Sequence, residues 1–320
     1  MPGERRGHPS SPDSTTTDGA VPLTPGASVT GTAAPSVGEQ EELAAKQERL
    51  SALLHGIGSA VVAFSGGVDS AYLLAVTHDV LRDRCVAATA VSASLAADEL
   101  AGAERVAARL GVRHLRVHTS EFEDARYLRN DGQRCYFCKH ALFTVLTRLA
   151  RELDFAAVVY GANADDRGDY RPGMRAASEF AVRAPLLEAG LGKADIRTLA
   201  RRAGLEVWDK PAAPCLASRL PYGSPVTVAA LRQIEAAERV VRDLGFRDVR
   251  VRHHGVAASV EVPEPEIGRL TVVFDRVADA LREIGFSTVR IAPDGLRSGR
   301  FSAGLALAGG GAAGSDGRRA

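Results

Sequence analysis

A short glycine loop after an apolar run constrains this chain more than any other feature. The apolar run is followed at 65–70 by Ser-Gly-Gly-Val-Asp-Ser, which opens an apolar-periodic segment. The pattern predicts a strand, a tight loop and a helix. Because Gly66 and Gly67 have no Cβ, the backbone can bring several N–H groups close to an anion, and the Ser65 and Ser70 hydroxyls can donate further bonds. The positive end of the helix dipole points at the same place.

The loop differs from a Walker A loop, which places a lysine after its last glycine. Here Val68 and Asp69 follow the glycines, so another group must balance phosphate charge, and the Asp69 carboxylate is suited to hold Mg²⁺. The alternative is an ordinary Gly-Gly turn with Asp69 or Ser70 as the helix cap, which a lone Ser-Gly-Gly would favour. The full six-residue pattern between strand and helix favours nucleotide binding.

The motif resembles the pyrophosphatase loop (PP-loop) of the ATP pyrophosphatase superfamily. The resemblance implies that ATP is split into AMP and pyrophosphate, and that the AMP activates a carboxylate or carbonyl carbon for attack by nitrogen or sulfur. It also implies that the turn at Ser92, after a neighbouring strand, wraps the adenosine. The motif is specific for the superfamily and leaves the substrate open.

The composition is that of an ordinary globular protein, with 45% of the 320 residues apolar and 25% charged. The net charge of +1 provides no overall field to attract nucleic acid. No stretch reaches the length of a membrane span and no apolar targeting segment is found near the N-terminus, so we expect a cytoplasmic protein without a membrane partner. The four cysteines are too few for a disulfide framework, and their grouping favours metal or redox chemistry.

Composition and periodicity divide the chain into four predicted parts. Residues 1–38 and 308–320 contain too little apolar surface to offset the entropy of ordering, and both are predicted to be disordered. Residues 39–207 are predicted to form an α/β domain with a doubly wound parallel sheet. Residues 208–307 are predicted to form a smaller C-terminal α+β domain that binds the substrate or mediates oligomerisation.

The predicted elements of the first domain alternate in type. Helices are expected over 39–55, from the loop to 82, and over 97–110 and 139–153; further strands are expected over 85–91, 113–118 and 156–160. In the second domain, helices are expected over 227–244 and 266–284, and strands are expected over 249–252, 259–262 and 288–291. The sequence contains no internal repeat.

Ligands of a doubly wound sheet bind at the carboxyl ends of its strands. The loop at 65–70 lies at one such end, and Gly-Ala-Asn-Ala-Asp-Asp at 161–166 lies at another. We therefore expect Gly161 and Asn163 to join the ATP site. Taken alone, the segment at 161–166 is more typical of a solvated turn.

Three cysteines are grouped around a predicted helix start and a later segment. Cys135 and Cys138 precede the helix expected to open at 139, and Cys215 lies in a Pro-rich segment. A zinc site would need a fourth ligand such as His140, and a thioredoxin-like dithiol would leave Cys215 unused. An iron–sulfur cluster on three thiolates leaves one iron open, and spacing alone does not choose among these sites. Cys85 lies in an apolar predicted strand, so we expect its side chain to pack in the core.

The ordered set of motifs over about residues 40–305 resembles the LarE family, ATP-dependent sulfur transferases of nickel-pincer cofactor synthesis. The set comprises the loop at 65–70, Gly161-Ala-Asn-x-Asp165, Asp169-Tyr-Arg-Pro-Gly173, Lys210-Pro, Cys215-Leu-Ala-Ser-Arg-x-Pro-Tyr-Gly223, Arg250-Val-Arg252-His253 and Gly295-Leu-Arg-Ser-Gly299. In one kind of member a lone cysteine gives up its own sulfur. In the other kind, three cysteines hold a [4Fe-4S] cluster that carries an extra sulfide. This chain has all three cysteines, which groups it with the cluster kind.

The resemblance also implies the remaining parts of the site. The substrate would be pyridinium-3,5-biscarboxylic acid mononucleotide, and its carboxylates would become thiocarboxylates with ATP, Mg²⁺ on Asp69, a sulfide donor and a homo-oligomer. Its phosphate would be held by Ser218, Arg219, Arg250 and Arg252, and Glu238 and Glu261 match acidic positions loosely. From the residues alone, an Arg-x-Arg strand in so arginine-rich a chain is typical of a solvated face, and Glu238 fits the surface of an amphipathic helix equally well.

Three other functions fit part of the pattern. A PP-loop tRNA thiolase would also use three cysteines and a cluster, but it would be expected to show a basic nucleic-acid face or added zinc modules. An ammonia-dependent synthetase leaves three cysteines without a role. A zinc protein that binds nucleotide without catalysis is the third possibility.

Overall fold

The computed structural model describes residues 36–167 and 172–296. Its larger sheet has four parallel strands, β1 (Ala60–Ala63), β2 (Cys85–Val91), β3 (His114–His118) and β4 (Ala157–Tyr160), in the order β3-β2-β1-β4. Every residue of the central strand β1 is buried, as its continuous apolar sequence requires. The sheet confirms the predicted α/β fold.

Helices cover both faces of this sheet. They are α1 (Val37–Ile57), α2 (Val68–Leu81), α3 (Ala97–Arg109), α4 (Ala125–Leu128), α5 (Arg134–Glu152), α6 (Pro172–Glu179), α7 (Pro185–Glu188) and α8 (Lys193–Arg202). Successive residues of a strand point to opposite faces. Val62 therefore packs in one core with Leu73 of α2 and Ile196 of α8, whereas Val61 packs in another with Phe143 of α5. The sheet is doubly wound, as predicted.

The rest of the described chain forms a smaller mixed sheet with its own helices. The elements are α9 (Val228–Asp243), β5 (Arg250–His254), β6 (Ala257–Glu261), α10 (Ile267–Val272), α11 (Phe274–Glu283) and β7 (Thr288–Ile291). β5 and β6 are antiparallel, and β6 and β7 are parallel. Val241 of α9 packs with Phe246, Val260 and Leu281 in a separate core. The predicted α+β character is confirmed.

The segment that carries Cys215 packs between these two parts. Leu216 and Leu220 lie in one apolar cluster with Tyr127 of α4 and with Leu231 and Ile234 of α9. The predicted boundary at 207–208 stays a prediction, and so does the division into 39–207 and 208–307.

The structure corrects the bounds of three predicted helices. Ser36 and Glu39 form a capping box, so α1 begins at Val37. Asp131 accepts a hydrogen bond from Gln133 N at 2.8 Å, and α5 begins directly afterwards at Arg134 rather than at 139. The helix predicted over 266–284 is interrupted at Val273, which adopts φ −103° and ψ 7°.

Helices α4, α6, α7 and α8 were not predicted at all. Each is at most 10 residues long, too short for periodicity to distinguish it from a loop.

Some predictions lie outside the described residues. These are the disorder of 1–35 and of 308–320, the start of the 169–173 motif and the end of the 295–299 motif. Within the two described ranges, no helix is both long and apolar enough to cross a membrane.

Candidate functional site

The loop at 65–70 forms a compact turn between β1 and α2. Ser70 Oγ accepts a hydrogen bond from Ser65 N at 3.3 Å, lies 3.1 Å from Ser65 Oγ and donates to Gly67 O at 3.0 Å. The N-cap of α2 is Gly67, and no side chain caps the helix. The capping role considered for Asp69 or Ser70 is therefore wrong. An uncapped helix start after a glycine turn is the arrangement that binds anions.

Gly66 is required by both its backbone and its surroundings. Its φ is 72°, in the left-handed region, and a Cβ built on it would lie 3.0 Å from the Cα and the Cβ of Ala103 on α3. Gly67 has φ −80° and has room for a Cβ, whose nearest neighbour would be Ser65 Oγ at 3.5 Å. Only the first glycine is therefore needed for the shape of the turn.

Gly66→Ala is expected to lower the free energy of unfolding by roughly 1–2 kcal/mol for the left-handed conformation, with a further loss from the clash with α3. Gly67→Ala is the matched control and should cost less, because Gly67 has φ −80° and room for a Cβ, so that alanine's lower preference for the helix N-cap is the remaining cost. Urea unfolding of both variants measures the difference, and equal stability would show that the loop tolerates a Cβ at Gly66.

The segment at 161–166 packs directly against the loop. Asn163 Nδ2 donates to Asp69 Oδ2 at 3.0 Å, and a Cβ on Gly161 would lie 3.0 Å from Ser70 N. Asn163 and Asp166 are buried, so the solvated-turn interpretation is wrong. The carboxyl ends of β1 and β4 meet, as expected, because the strands are parallel neighbours.

Asp69 offers a buried oxygen that has no hydrogen bond among the described residues. This is Oδ1, whereas Oδ2 accepts from Asn163. Burial is the main cause that raises the Asp69 pKa, and the hydrogen bond from Asn163 opposes it. A buried carboxylate oxygen without a donor fits a hard cation such as Mg²⁺ beside a phosphate loop.

Ser92 follows β2, the other neighbour of β1. Its hydroxyl lies 2.9 Å from Ser94 Oγ. The residue is at the same end of the sheet as the loop, and its role with adenosine stays a prediction.

The three grouped cysteines lie on two elements that pack against each other. Cys135 and Cys138 lie in the first five residues of α5, and Cys215 precedes a 3-10 turn over Leu216–Arg219. Cys138 packs against the apolar cluster that contains Leu216. Burial, and then the charges of Cys215 and Cys135, raise the pKa of Cys138 to about 12. The three thiols therefore interact electrostatically and have the soft donor chemistry that iron–sulfur clusters need. As they stand, no group of three His, Cys, Asp or Glu side chains in the described ranges is arranged to hold a metal ion.

The remaining cysteine, Cys85, and the candidate zinc ligand His140 both have packing contacts. Cys85 is buried in β2, and burial raises its pKa to about 12, which confirms its place in the core. The His140 ring packs edge-on against Phe180 with centroids 5.0 Å apart. These contacts do not favour His140 as a zinc ligand.

Two buried residues that sequence reasoning missed hold the Cys215 segment against α5. Asn130 Nδ2 donates to Pro221 O and Ser224 O, both at 2.8 Å. Arg134 Nη1 donates to Ala217 O at 2.8 Å and also bonds Asn130 Oδ1. The sequence gives two signals for these hydrogen bonds. They are the Asp-Gly pair after Asn130 and the position of Arg134 beside Cys135.

The predicted phosphate-binding arginines and acidic residues form buried ion pairs. Arg219 Nε donates to Glu238 Oε1 at 2.7 Å, and Arg252 Nε donates to Glu261 Oε2 at 3.0 Å. Arg252 Nη1 also donates to Ser218 O at 2.8 Å. All of these charged side chains are buried. The solvated-face interpretation of the Arg-x-Arg strand and the surface interpretation of Glu238 are both wrong.

Arg250 forms no ion pair among the described residues. Its guanidinium donates only a long hydrogen bond, 3.4 Å, to Ala212 O. Burial and the charges of Arg219 and Arg252 lower its pKa. It lines a cavity of about 250 Å³, and the other charged residues of the wall are the basic Lys210, Arg219, Arg242 and Arg247 and the acidic Glu99 and Asp248. Because basic side chains outnumber acidic ones in this wall, the cavity suits an anion.

Comparison with known proteins agrees with this geometry. The protein-family profile described as asparagine synthase matches residues 54–131, which contain the phosphate loop. An uncharacterized protein of Synechocystis sp., slr1717, is 39% identical over 81% of this chain and 98% of its own length. The pyridinium-3,5-bisthiocarboxylic acid mononucleotide synthase of Lactiplantibacillus plantarum is 38% identical over 81% of this chain and 95% of its own length.

A more distant relative shares only part of the chain. The tRNA-specific 2-thiouridylase of Rickettsia felis is 30% identical over 47% of this chain and 51% of its own length. The likeness to this relative is therefore partial, whereas the likeness to the mononucleotide synthase covers 95% of that enzyme.

Proposed function

Since the chain belongs to the LarE family of ATP-dependent sulfur transferases, we propose that it converts the carboxylates of pyridinium-3,5-biscarboxylic acid mononucleotide into thiocarboxylates. The observation that carries this proposal is the contact between the start of α5, which carries Cys135 and Cys138, and the Cys215 segment, where Arg134 donates a hydrogen bond to Ala217 O. Both lie in a chain with a PP-loop and a cavity lined mainly by basic residues. Arg219 connects the two features, because its Nη1 donates to Cys215 O at 3.3 Å and the residue lines the cavity.

In the first step, a substrate carboxylate oxygen attacks the α-phosphorus of ATP. The new O–P bond makes an acyl adenylate, which is a mixed anhydride; the bond from the α-phosphorus to the oxygen that bridges to the β-phosphorus breaks, and pyrophosphate leaves with that electron pair. The N–H groups of the loop and the Ser65 and Ser70 hydroxyls hold the phosphates. Asp69 would hold Mg²⁺, which supplies charge screening for the departing pyrophosphate.

In the second step, a sulfur nucleophile attacks the activated acyl carbon and AMP leaves. We propose that Cys135, Cys138 and Cys215 hold a [4Fe-4S] cluster, which when bound supplies a sulfide at the iron that has no protein thiolate. Arg134, braced by Asn130, orients the Cys215 segment toward α5.

The substrate phosphate is proposed to bind in the cationic cavity with Arg250, supported by Ser218, Arg219 and Arg252. Glu238 and Glu261 neutralise Arg219 and Arg252, so these two arginines are held in fixed positions. Arg250 keeps uncompensated charge for an anion.

Three further features are proposed from the family alone. They are an external sulfide donor, a homo-oligomer and a cytoplasmic location, where a reducing environment would keep the thiols available.

The direct test supplies anaerobically purified protein with ATP, Mg²⁺, sulfide and the dicarboxylate mononucleotide. We expect AMP, pyrophosphate and a product in which sulfur replaces one carboxylate oxygen, as detected by mass spectrometry. Pyrophosphate formation with tRNA, and none with the mononucleotide, would favour the thiolase alternative. The partial match to the thiouridylase makes that outcome the less expected one.

Arg250→Ala should weaken binding of the mononucleotide by about 1–3 kcal/mol and spare ATP binding, because the variant removes one charge-assisted phosphate contact. Arg252→Ala is less informative, because it would also remove the ion-pair partner of the buried Glu261. Calorimetric titration of each ligand provides the measurement. Arg282→Ala, an exposed arginine paired with Asp279 on α11, is the control. Equal losses for ATP and mononucleotide in Arg250→Ala would place this arginine in the ATP site.

A further inference from the structure

The phosphate loop has no lysine of its own, but the structure brings one to it from a distant segment. Lys210 Nζ donates to Gly66 O at 3.3 Å and to Glu99 Oε2 of α3 at 2.8 Å. We propose that Lys210 is a catalytic residue whose ammonium binds the phosphate chain of ATP at the loop and stabilises pyrophosphate as it leaves. This inference rests on the proposed function.

The backbone around Lys210 is held in place by α8. Arg197 Nη2 donates to Lys210 O at 3.0 Å, and Arg197 Nη1 donates to Trp208 O at 3.4 Å. Lys210 N donates to Val207 O at 3.0 Å. The side chain therefore extends to the loop from a fixed base, which limits the entropy lost when it binds a ligand.

The ammonium has hydrogen-bonding capacity left for a phosphate. A lysine can donate three hydrogen bonds, and the two acceptors found among the described residues are Gly66 O and Glu99 Oε2. Glu99 lies in the first turn of α3 and would repel a bound phosphate if its charge were not balanced. We infer that Lys210 shifts from Glu99 toward the phosphates when ATP binds, since a phosphate carries more negative charge than a carboxylate.

Lys210 also lies between the two parts of the proposed reaction. It lines the 250 Å³ cavity together with Glu99, Arg219 and Arg250, and its ammonium contacts the loop. Because the substrate phosphate is proposed to bind in the cavity, we infer that the attacking carboxylate approaches from the cavity side and that pyrophosphate leaves on the loop side. The lysine transfers no proton in this step; it stabilises by charge the oxygen that receives the electron pair from the broken bond.

The test measures binding of Mg²⁺-pyrophosphate by calorimetry, a readout that requires no second substrate. Lys210→Gln should weaken binding at least about tenfold, equivalent to about 1.4 kcal/mol, and Lys210→Arg should restore part of the loss because it keeps the charge. Thermal unfolding checks that each variant is folded. Lys46→Gln is the control, because Lys46 has the same 22% side-chain exposure as Lys210 and pairs with the acids Glu42 and Asp195.

Glu99→Gln separates a ligand role from a structural ion pair. If Lys210 serves the phosphates, removing its competitor should leave pyrophosphate affinity unchanged or increase it. Equal weakening in Glu99→Gln and Lys210→Gln, or wild-type affinity in Lys210→Gln, would overturn the inference. A wild-type protein that binds pyrophosphate through Lys210 but forms none from ATP and the mononucleotide would overturn the proposed function and still support the role of the lysine.

Discussion

Replacing Cys135, Cys138 or Cys215 by serine, one at a time, is expected to remove bound iron and sulfur transfer together while adenylation continues. The reason is that a cluster needs all three thiolates, whereas the ATP loop lies at the end of β1 in a separate part of the chain. Iron and labile sulfide in anaerobically purified protein, pyrophosphate release and thiocarboxylate formation are the three measurements. Cys85→Ala is the matched control and should keep all three properties, because Cys85 is buried in β2.

Intact-protein mass spectrometry tests the opposing mechanism, in which Cys215 alone gives up its sulfur. In that case only the Cys215 variant would stop transfer, and the used wild-type protein would lose one H₂S from Cys215 as the residue becomes dehydroalanine. We expect an unchanged mass and, with sulfide supplied, more than one product per protein. A mass loss that matches the amount of product would overturn the cluster proposal, and about one zinc per chain without iron would do so independently.

Asp69→Asn is expected to reduce pyrophosphate formation by about two to three orders of magnitude without unfolding the protein. The substitution removes the charge at nearly constant shape, and metal-assisted charge stabilisation is worth several kcal/mol. The fold should tolerate the substitution, because burial already disfavours the charged form of the Asp69 carboxyl and raises its pKa. Steady-state pyrophosphate release as a function of Mg²⁺ concentration measures the effect.

Asp79→Asn provides the control on the same helix. Asp79 is 74% exposed, and its ion pair with Arg82 is long, 3.7 Å, so its loss should change neither activity nor stability. Normal pyrophosphate release by Asp69→Asn would exclude Asp69 as the metal ligand. In this variant the hydrogen bond from Asn163 Nδ2 would go to an amide oxygen in place of the carboxylate oxygen.

The buried ion pairs explain why single substitutions in the cavity must be chosen with care. Glu238 accepts hydrogen bonds from Arg219, Arg242 and the backbone N–H of Val251. Removing this carboxylate would leave several buried donors without an acceptor, and a loss of activity could then reflect lost structure. Arg250 avoids this difficulty because it has no carboxylate partner among the described residues.

Local sequence was sufficient to predict the phosphate loop and the parallel sheet. A loop of Ser-Gly-Gly at 65–67 requires left-handed backbone at Gly66, and the apolar run before it is long enough for one buried strand. The turn and the strand depend on residues adjacent in the chain, whereas the parallel pairing was predicted from the alternation of strands with helices. Helix bounds were less certain: α5 begins before Cys135 because an aspartate turn at Asp131 precedes it, a contact that apolar periodicity does not report.

The sequence by itself therefore determined the fold class, the loop and the residue types for ATP, phosphate and sulfur chemistry, because these depend on backbone geometry and on functional groups at short spacing. Only the tertiary structure decided which distant residues meet. Asn130 and Arg134 bring Cys215 to α5, Glu238 and Glu261 are buried partners of arginines rather than surface acids, and Lys210 reaches the phosphate loop. The physical reason is that these contacts join segments far apart in the chain, and their geometry is set by how helices pack on the two sheets.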